Sequence, residues 1–156
     1  MIVSDSTALI TLINIDEFEL LSFFTQKVFI PKEVYEEVAL LDEARVFLDV
    51  QIERKFIEVS MYNNQLLYDE LNILLDSGES ASIILALEKK MPLLIDEKKG
   101  RNVAQDMGID IIGLMGVIRF LYKKEKISKK RTKEIMQKLS TSSFRVSKKL
   151  VDMVFE

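Results

Sequence analysis

Two aspartates follow short apolar runs that are typical of buried β-strands. Asp5 ends the run IVS at residues 2–4, and Asp96 ends the run PLLI at residues 92–95. Ligands of open α/β sheets bind at the carboxyl ends of the strands, and a carboxylate that follows a buried strand needs a hydrogen bond, a counterion or a metal. Capping of the next helix is the alternative for either acid alone. Because the two acids occupy equivalent positions, we expect a shared carboxylate site that binds a divalent metal.

A glutamate in the segment IPKEVYEEV is a candidate for the same site. Glu37 lies on a predicted helix face with Val34 and Val38. We therefore expect its side chain to point closer to the core than those of Glu33 and Glu36. The alternative is a partly exposed glutamate at the edge of that face.

A second candidate, Glu79, has a local explanation. Asp76 and Glu79 match a capping box, in which the first side chain caps the helix and the second returns a bond to the capping residue's backbone. From these neighbours alone, capping explains Glu79 better than catalysis does.

The chain contains no histidine and no cysteine. The missing histidine excludes a Ser-His-Asp triad and every imidazole metal site. The missing cysteine excludes disulfides, thiolate zinc sites and a cysteine nucleophile. Any hydrolytic chemistry must therefore rest on carboxylates, hydroxyls, lysines or a hard metal ion.

Short apolar strands alternate with amphipathic helices along the chain. The pattern predicts strands at 2–5, 27–30, 56–59, 92–96 and 109–112. It predicts helices at 6–13, 16–24, 31–41, 42–54, 64–75, 79–90, 100–108, about 114–123 and 144–155, with a largely helical basic stretch at 123–139. This alternation indicates an α/β fold, a single domain over residues 1–156 with a central parallel sheet of about four to five strands between helices.

Charge is distributed unevenly along the chain. Residues 1–118 carry 10 basic and 21 acidic side chains, whereas residues 119–149 carry 12 and 2. An acidic body with a basic C-terminal segment suits a metal site beside a surface that binds a polyanion. The alternative is a lysine-rich, solvated helix face. We expect this segment, within residues 119–156, to be helical and part of the same domain.

Composition is typical of a globular protein, with 48% hydrophobic and 30% charged residues. No apolar run approaches the roughly 18 residues needed to span a bilayer, and the start of the chain does not read as a signal peptide. We therefore expect a cytoplasmic protein without membrane contacts.

Four segments together resemble the PIN-domain family, and in particular its VapC-like branch with a shortened central motif. They are IVSDSTALI at the start, IPKEVYEEV near residue 34, LDSGESASIILAL at 75–87 and LLIDEKKGRNVAQDMGIDIIGLMGVI at 93–118. The segments occur in the family's order and cover most of the chain. The final stretch, FRVSKKLVDMVF, is similar to the end of that branch.

The resemblance implies a PIN-like sandwich in which acids converge on one or two Mg²⁺ or Mn²⁺ ions. By position, the catalytic and metal-binding acids are Asp5, Glu37, Glu79 and Asp96. Ser6 occupies the hydroxyl position after the first acid, and Glu97 supports the site through water. The matching SGES context makes Glu79 a site residue that can also serve the cap.

The activity implied is metal-dependent endonucleolytic hydrolysis of RNA. Lys98, Lys99 and Arg101 are the cations best placed to bind phosphates, with a solvated first helical turn as the alternative. The basic cluster at 123–133 would extend that track or contact a partner. The resemblance also implies a toxin paired with a small antitoxin protein, and a homodimer.

Two other functions remain as alternatives. A strand ending in Asp with a neighbouring hydroxyl is also found in phosphoryl-accepting aspartate enzymes, but the second Asp that haloacid-dehalogenase-like phosphatases need is replaced by Thr7. A PIN-like protein without catalysis, which binds nucleic acid or a partner, would retain the same fold.

Overall fold

The fold is a single α/β domain built on one parallel sheet. The computed structural model describes residues 1–156. The sheet has five strands in the order β3-β2-β1-β4-β5, and all neighbouring strands are parallel. The strands are β1 (Ile2–Ser4), β2 (Val28–Ile30), β3 (Ile57–Val59), β4 (Leu93–Leu94) and β5 (Ile111–Ile112). The predicted fold class and strand number are confirmed.

Ten helices flank this sheet, as parallel strands require crossover connections. They are α1 (Ser6–Asn14), α2 (Leu20–Phe24), α3 (Lys32–Val38), α4 (Asp42–Glu53), α5 (Gln65–Leu71), α6 (Ser77–Lys89), α7 (Lys98–Asp106), α8 (Leu114–Lys123), α9 (Lys129–Ser140) and α10 (Lys148–Phe155). None of them combines the length and the apolar character that crossing a membrane would require.

Several predicted helices differ from the structure at their ends, and the helix predicted over 144–155 begins only at Lys148. The helix expected from Asp16 begins at Leu20, because Asp16 has a positive φ of 58° and lies in a turn. The basic stretch is interrupted between α8 and α9 at Glu125, which also has a φ of 58°. The helix predicted over 64–75 stops at Leu71, and turns lead from there to Asp76.

Alternate strand residues form two apolar clusters, one on each face of the sheet. Ile2 and Leu94 face a cluster of 25 buried residues with α1–α4 and α8–α10. Val3 and Leu93 face a cluster of 12 buried residues with α5–α7. Burial on both faces explains why the strands read as continuous apolar runs.

The order of the strands creates a switch point beside β1. The chain proceeds from β1 to β2 and β3 on one side, and then returns to place β4 on the other side of β1. The Asp5 amide donates a 3.0 Å hydrogen bond to the Leu94 carbonyl. The crevice where ligands bind in such sheets therefore opens between the ends of β1 and β4.

A buried glutamate attaches α9 to the N-terminal half of the chain. Glu17 is 1% exposed, and its carboxylate accepts bonds from both terminal nitrogens of Arg131 and, at 2.8 Å, from Lys138. Burial opposes ionisation of Glu17, but these hydrogen bonds and positive charges outweigh it and lower the pKa of the carboxyl below its ordinary value. The basic segment is thus held to the N-terminal half of the chain by the buried Glu17 carboxylate, which its contacts with Arg131 and Lys138 keep ionised.

We expect Glu17→Gln to lower the free energy of unfolding by about 2 kcal/mol at neutral pH, since it weakens charge-assisted hydrogen bonds. A lowered pKa in the folded chain contributes stability that is complete above the ordinary carboxyl value of 4.5 and declines as the pH falls. The difference in the free energy of unfolding between the variant and wild type, measured by denaturant unfolding, should therefore become smaller at acid pH. Glu19→Gln is the matched control, because Glu19 contacts the same Arg131 at 3.2 Å but is largely exposed. An equal loss in both variants would contradict the assignment.

Candidate active site

Asp5 lies at the switch point with one carboxylate oxygen unpaired. Its side chain is 4% exposed, and Oδ1 has no hydrogen-bond partner. Asp5 occupies the N-cap position of α1 with extended backbone angles, but its side chain makes no capping hydrogen bond. Capping therefore does not account for this buried carboxylate.

Three acids surround the space beside Gly78, in the first turn of α6. A side-chain carbon at this glycine would lie 2.9 Å from Glu37 Oε2, 3.4 Å from Asp5 Oδ1 and 3.6 Å from Asp76 Oδ1. Helix α3 supplies Glu37, and the turn before α6 supplies Asp76. Two of the four predicted acids therefore share one space, together with Asp76, which the sequence interpretation assigned only to a cap.

Helix α3 packs on the core with the predicted face, on which Val34 and Val38 are fully buried. Glu36 is exposed and Glu37 is half-buried. Glu33 is also half-buried, contrary to expectation, because the Tyr62 hydroxyl donates to its carboxylate. Helical periodicity separated Glu37 from Glu36 but did not anticipate the long-range contact of Glu33.

Only one half of the predicted capping box forms. Asp76 Oδ1 accepts a 2.8 Å bond from the Glu79 amide, but Glu79 does not return it. The Glu79 side chain is 7% exposed, its Oε2 has no partner, and this oxygen lies 2.8 Å from where a side-chain carbon at Gly100 would be. Glu79 therefore points from α6 towards the first turn of α7, where a local cap would not place it.

Asp96 caps a helix, but not the one that follows it. Its two carboxylate oxygens accept bonds of 3.1 and 3.3 Å from the amide of Leu114, at the start of α8. Arg101 lies alongside and donates a 2.8 Å bond to the Ile95 carbonyl. At Gly113, a side-chain carbon would be only 2.7 Å from Asp96 Oδ1 and 3.0 Å from the Arg101 guanidinium.

Burial and like charge both disfavour ionisation at this site. Burial raises the pKa of Asp5 to about 7; the Ser6 amide opposes this, and the carboxylates of Asp76, Glu37 and Asp96 reinforce it. Burial, followed by the Asp76 carboxylate, raises the pKa of Glu79 to about 8. Burial also raises the pKa of Asp96, against the Leu114 amide and the Arg101 charge. A cation would therefore be favoured among these acids.

The donor set fits a hard divalent ion. Every candidate ligand is a carboxylate oxygen, which Mg²⁺ and Mn²⁺ prefer. Asp5 Oδ1 and Glu79 Oε2 are buried oxygens that accept no hydrogen bond from the protein, so both are available to coordinate a metal ion. In the structure itself, no three acidic side chains are arranged closely enough to hold a metal ion together.

The remaining predicted residues differ in how they relate to the acids. Ser6 is buried at the start of α1, directly after Asp5. Glu97 is exposed but close enough to contribute to the raised pKa of Glu79. Lys98 and Lys99 are exposed on the first turn of α7, whereas Arg101 is half-buried beside Asp96. Of the three cations, Arg101 is the one that the structure brings to the acids.

Comparison with known families agrees with this geometry. The family model described as PIN domain matches residues 1–156, the whole of the chain. The chain belongs to the PIN-domain family. PIN domains are generally nucleases and typically use divalent metals. A comparison with curated proteins finds no match.

We expect the metal-free protein to lose stability as the pH rises. A raised pKa in the folded chain contributes stability that is complete below the ordinary value of 3.8 for Asp5 and is lost as the pH passes about 7. The melting temperature in chelator should therefore fall between about pH 5.5 and about pH 8.5, and Asp5→Asn should reduce this fall. Asp106→Asn, at the exposed end of α7, is the control. A pH profile of Asp5→Asn that matches wild type would contradict the assignment.

We expect Gly113→Ala to weaken the response to metal, because the added methyl group would displace the Asp96 carboxylate. Gly113 has a negative φ of −100°, so alanine introduces no backbone strain. The apparent affinity for Mn²⁺, measured as a shift in melting temperature, should fall by about 10-fold to 100-fold. Gly108→Ala is the control: the φ of 81° at this position strains the alanine backbone, but no atom lies within 4 Å of the added methyl group. It should cost about 1 kcal/mol and leave the metal response unchanged.

Proposed function

We propose that the protein is a Mg²⁺- or Mn²⁺-dependent endoribonuclease that hydrolyses RNA phosphodiesters. The observation that carries this proposal is the Asp5 carboxylate, which is buried at the switch point with an unpaired oxygen and further acids around it. Membership of the PIN-domain family supports it independently. Histidine is absent, and the clustered carboxylates make a bound hard metal ion the chemistry that we favour.

In this proposal Asp5 and Asp96 are the central ligands, and Glu37 and Glu79 complete the set. Asp76 joins them, because its Oδ1 borders the same space beside Gly78. When bound, one or two divalent ions supply a nucleophilic water at neutral pH and neutralise charge on the attacked phosphate. The Leu114 amide holds Asp96 in position, while Ser6 and Glu97 lie outside the direct ligands.

Substrate binding in this proposal begins at Arg101. Its guanidinium lies beside Asp96, where a phosphate held at the acids would come within reach. Lys98 and Lys99 are exposed on the same helix and add a salt-sensitive attraction that does not depend on sequence. The basic cluster at 123–133 would extend this attraction or contact a partner, although Arg131 within it is already paired with Glu17.

The biological role that we propose is the toxin of a VapBC-type pair, with a small antitoxin protein and a homodimer. The resemblance of the four sequence segments supports this role. Exposed apolar side chains around α5 are suited to a protein contact, with Leu66 and Ile73 about 78% and 82% exposed. A cytoplasmic location and a single domain that includes residues 119–156 belong to the same proposal.

We expect Asp5→Asn to reduce RNA cleavage by more than about 100-fold, since loss of a direct ligand should exceed the 10-fold to 100-fold effect of an outer partner. Melting temperature should not fall, because the buried negative charge is removed. The measurement is cleavage of labelled RNA in Mn²⁺, with chelator as a blank and Asp106→Asn as a matched control. An unchanged rate in Asp5→Asn would sink the assignment. Absence of metal-dependent cleavage by wild type, for every RNA tried, would favour a PIN-like binding protein without catalysis.

A further inference from the structure

A cavity of about 680 Å³ extends from the acids to the C-terminal part of the chain. Asp96 and Arg101 line it from the acidic site, and Phe144, Arg145 and Met153 line it from the C-terminal part of the chain, which forms its far wall. We call this cavity the C-terminal cleft. Its volume falls within the range of small-ligand sites, roughly 300–1,000 Å³. It is therefore large enough for a nucleotide that lies beside the carboxylates.

The far wall of the C-terminal cleft is fixed by packing and hydrogen bonds. The Phe144 amide donates a 3.1 Å bond to the Ser142 hydroxyl. Arg119 of α8 donates a 3.0 Å bond to the Met153 carbonyl of α10, and Val154 is fully buried in the core. The packing of α10 on α8 therefore positions Met153, whereas Phe144 and Arg145 lie in the segment just before α10.

The charges of the cleft suit a phosphate at its far end. Arg145 is exposed, lines the cleft and forms no salt bridge. Its guanidinium offers a fork of donors that matches a phosphate. Arg101, by contrast, donates to the Ile95 carbonyl and faces Asp96 at the near end. Both arginines line the same cavity, but only Arg145 has no protein partner for its charge.

Between these charges the cleft is partly apolar. Ile111, Met115 and Phe144 contribute apolar surface to its lining. Apolar and aromatic surfaces beside phosphate-binding cations are what an unpaired nucleotide requires, since its base stacks while its phosphate is neutralised. A base within a duplex could not enter such a cavity, because it is already stacked and paired.

We propose that the C-terminal cleft binds the nucleotide that flanks the cleaved bond of a single-stranded RNA. Arg145 contacts the flanking phosphate, and Phe144 contacts the base. This inference rests on the proposed function, because it takes RNA as the substrate held at the acids. It adds a subsite and a specificity-determining residue remote in sequence from the carboxylates.

The test compares Arg145→Ala with Lys149→Ala in the full chain. Lys149 is exposed on α10, does not line the cleft, and its removal changes the net charge equally. The probe is a fluorescent single-stranded RNA, with binding followed by anisotropy in chelator over a range of salt concentrations. Arg145→Ala should weaken binding about tenfold and reduce the slope of log K against log salt by about 0.7, the value for one phosphate on a single strand. Lys149→Ala should change affinity by less than about twofold.

Two further measurements distinguish a specific contact of Arg145 with RNA from a general effect of its positive charge. Arg145→Lys retains the charge but not the forked donors, so it should restore the salt slope while recovering only part of the affinity. A duplex RNA of the same sequence should bind wild type and Arg145→Ala equally, because its bases cannot enter the cleft. An equal defect on duplex and single strand would overturn the inference in favour of a general electrostatic effect.

Cleavage in Mn²⁺ distinguishes this inference from the proposed function. If wild type cleaves RNA and Arg145→Ala binds and cleaves like Lys149→Ala, the cleft inference is overturned and the proposed function stands. If Arg145→Ala alone loses single-strand affinity while wild type cleaves no RNA, the cleft is supported and the nuclease activity is overturned. In an active enzyme, KM should rise in Arg145→Ala with little change in kcat, since a flanking contact is made equally before and during the reaction.

Discussion

The carboxylate of Asp5 is buried at the end of the central strand, and the surrounding chain must accommodate its charge. Burial raises the pKa of this carboxyl to about 7, and the carboxylates of Asp76, Glu37 and Asp96 reinforce the shift. Such an arrangement opposes folding unless a proton or a cation neutralises it. β1 nevertheless pairs on both sides, with β2 and with β4, so Asp5 cannot move out to solvent without breaking the sheet. The sheet therefore maintains a site whose electrostatics favour a bound cation.

Three glycines make room for the acids that surround Asp5. Carboxylate oxygens lie about where a side chain would be at Gly78, Gly100 and Gly113, with closest approaches of 2.9, 2.8 and 2.7 Å. Each glycine belongs to the start of a helix, in α6, α7 and α8 respectively. Helix starts can thus approach the crevice closely because they carry no side chain there. The carboxylates thus occupy the space that the glycines leave open, although the acids and the glycines come from separate parts of the chain.

Sequence patterns predicted what depends on local order and missed what depends on packing. Asp5 and Asp96 were predictable because strand ends of a parallel sheet meet at one edge, and Glu37 because helical periodicity separates it from Glu36. Asp76 was missed as a neighbour of the acids because its capping bond with the Glu79 amide already explains the residue locally. The same oxygen also borders the space beside Gly78, and no local pattern indicates that contact. Arg145 had no local signal at all. It lies between α9 and α10 and lines the same cavity as Asp96, a proximity between distant segments that no spacing or motif indicates.

Helix α8 links the two ends of the proposed reaction site. Its first amide holds the carboxylate of Asp96, and further along it Arg119 holds the Met153 carbonyl of α10. The Asp96 carboxylate and Met153 in the wall of the C-terminal cleft are therefore both positioned by one helix of ten residues. Phe144 and Arg145 lie in the segment before α10, so their placement depends on where that helix begins as well as on α8. The packing of α10 on α8 therefore connects the candidate acidic site to the C-terminal part of the chain.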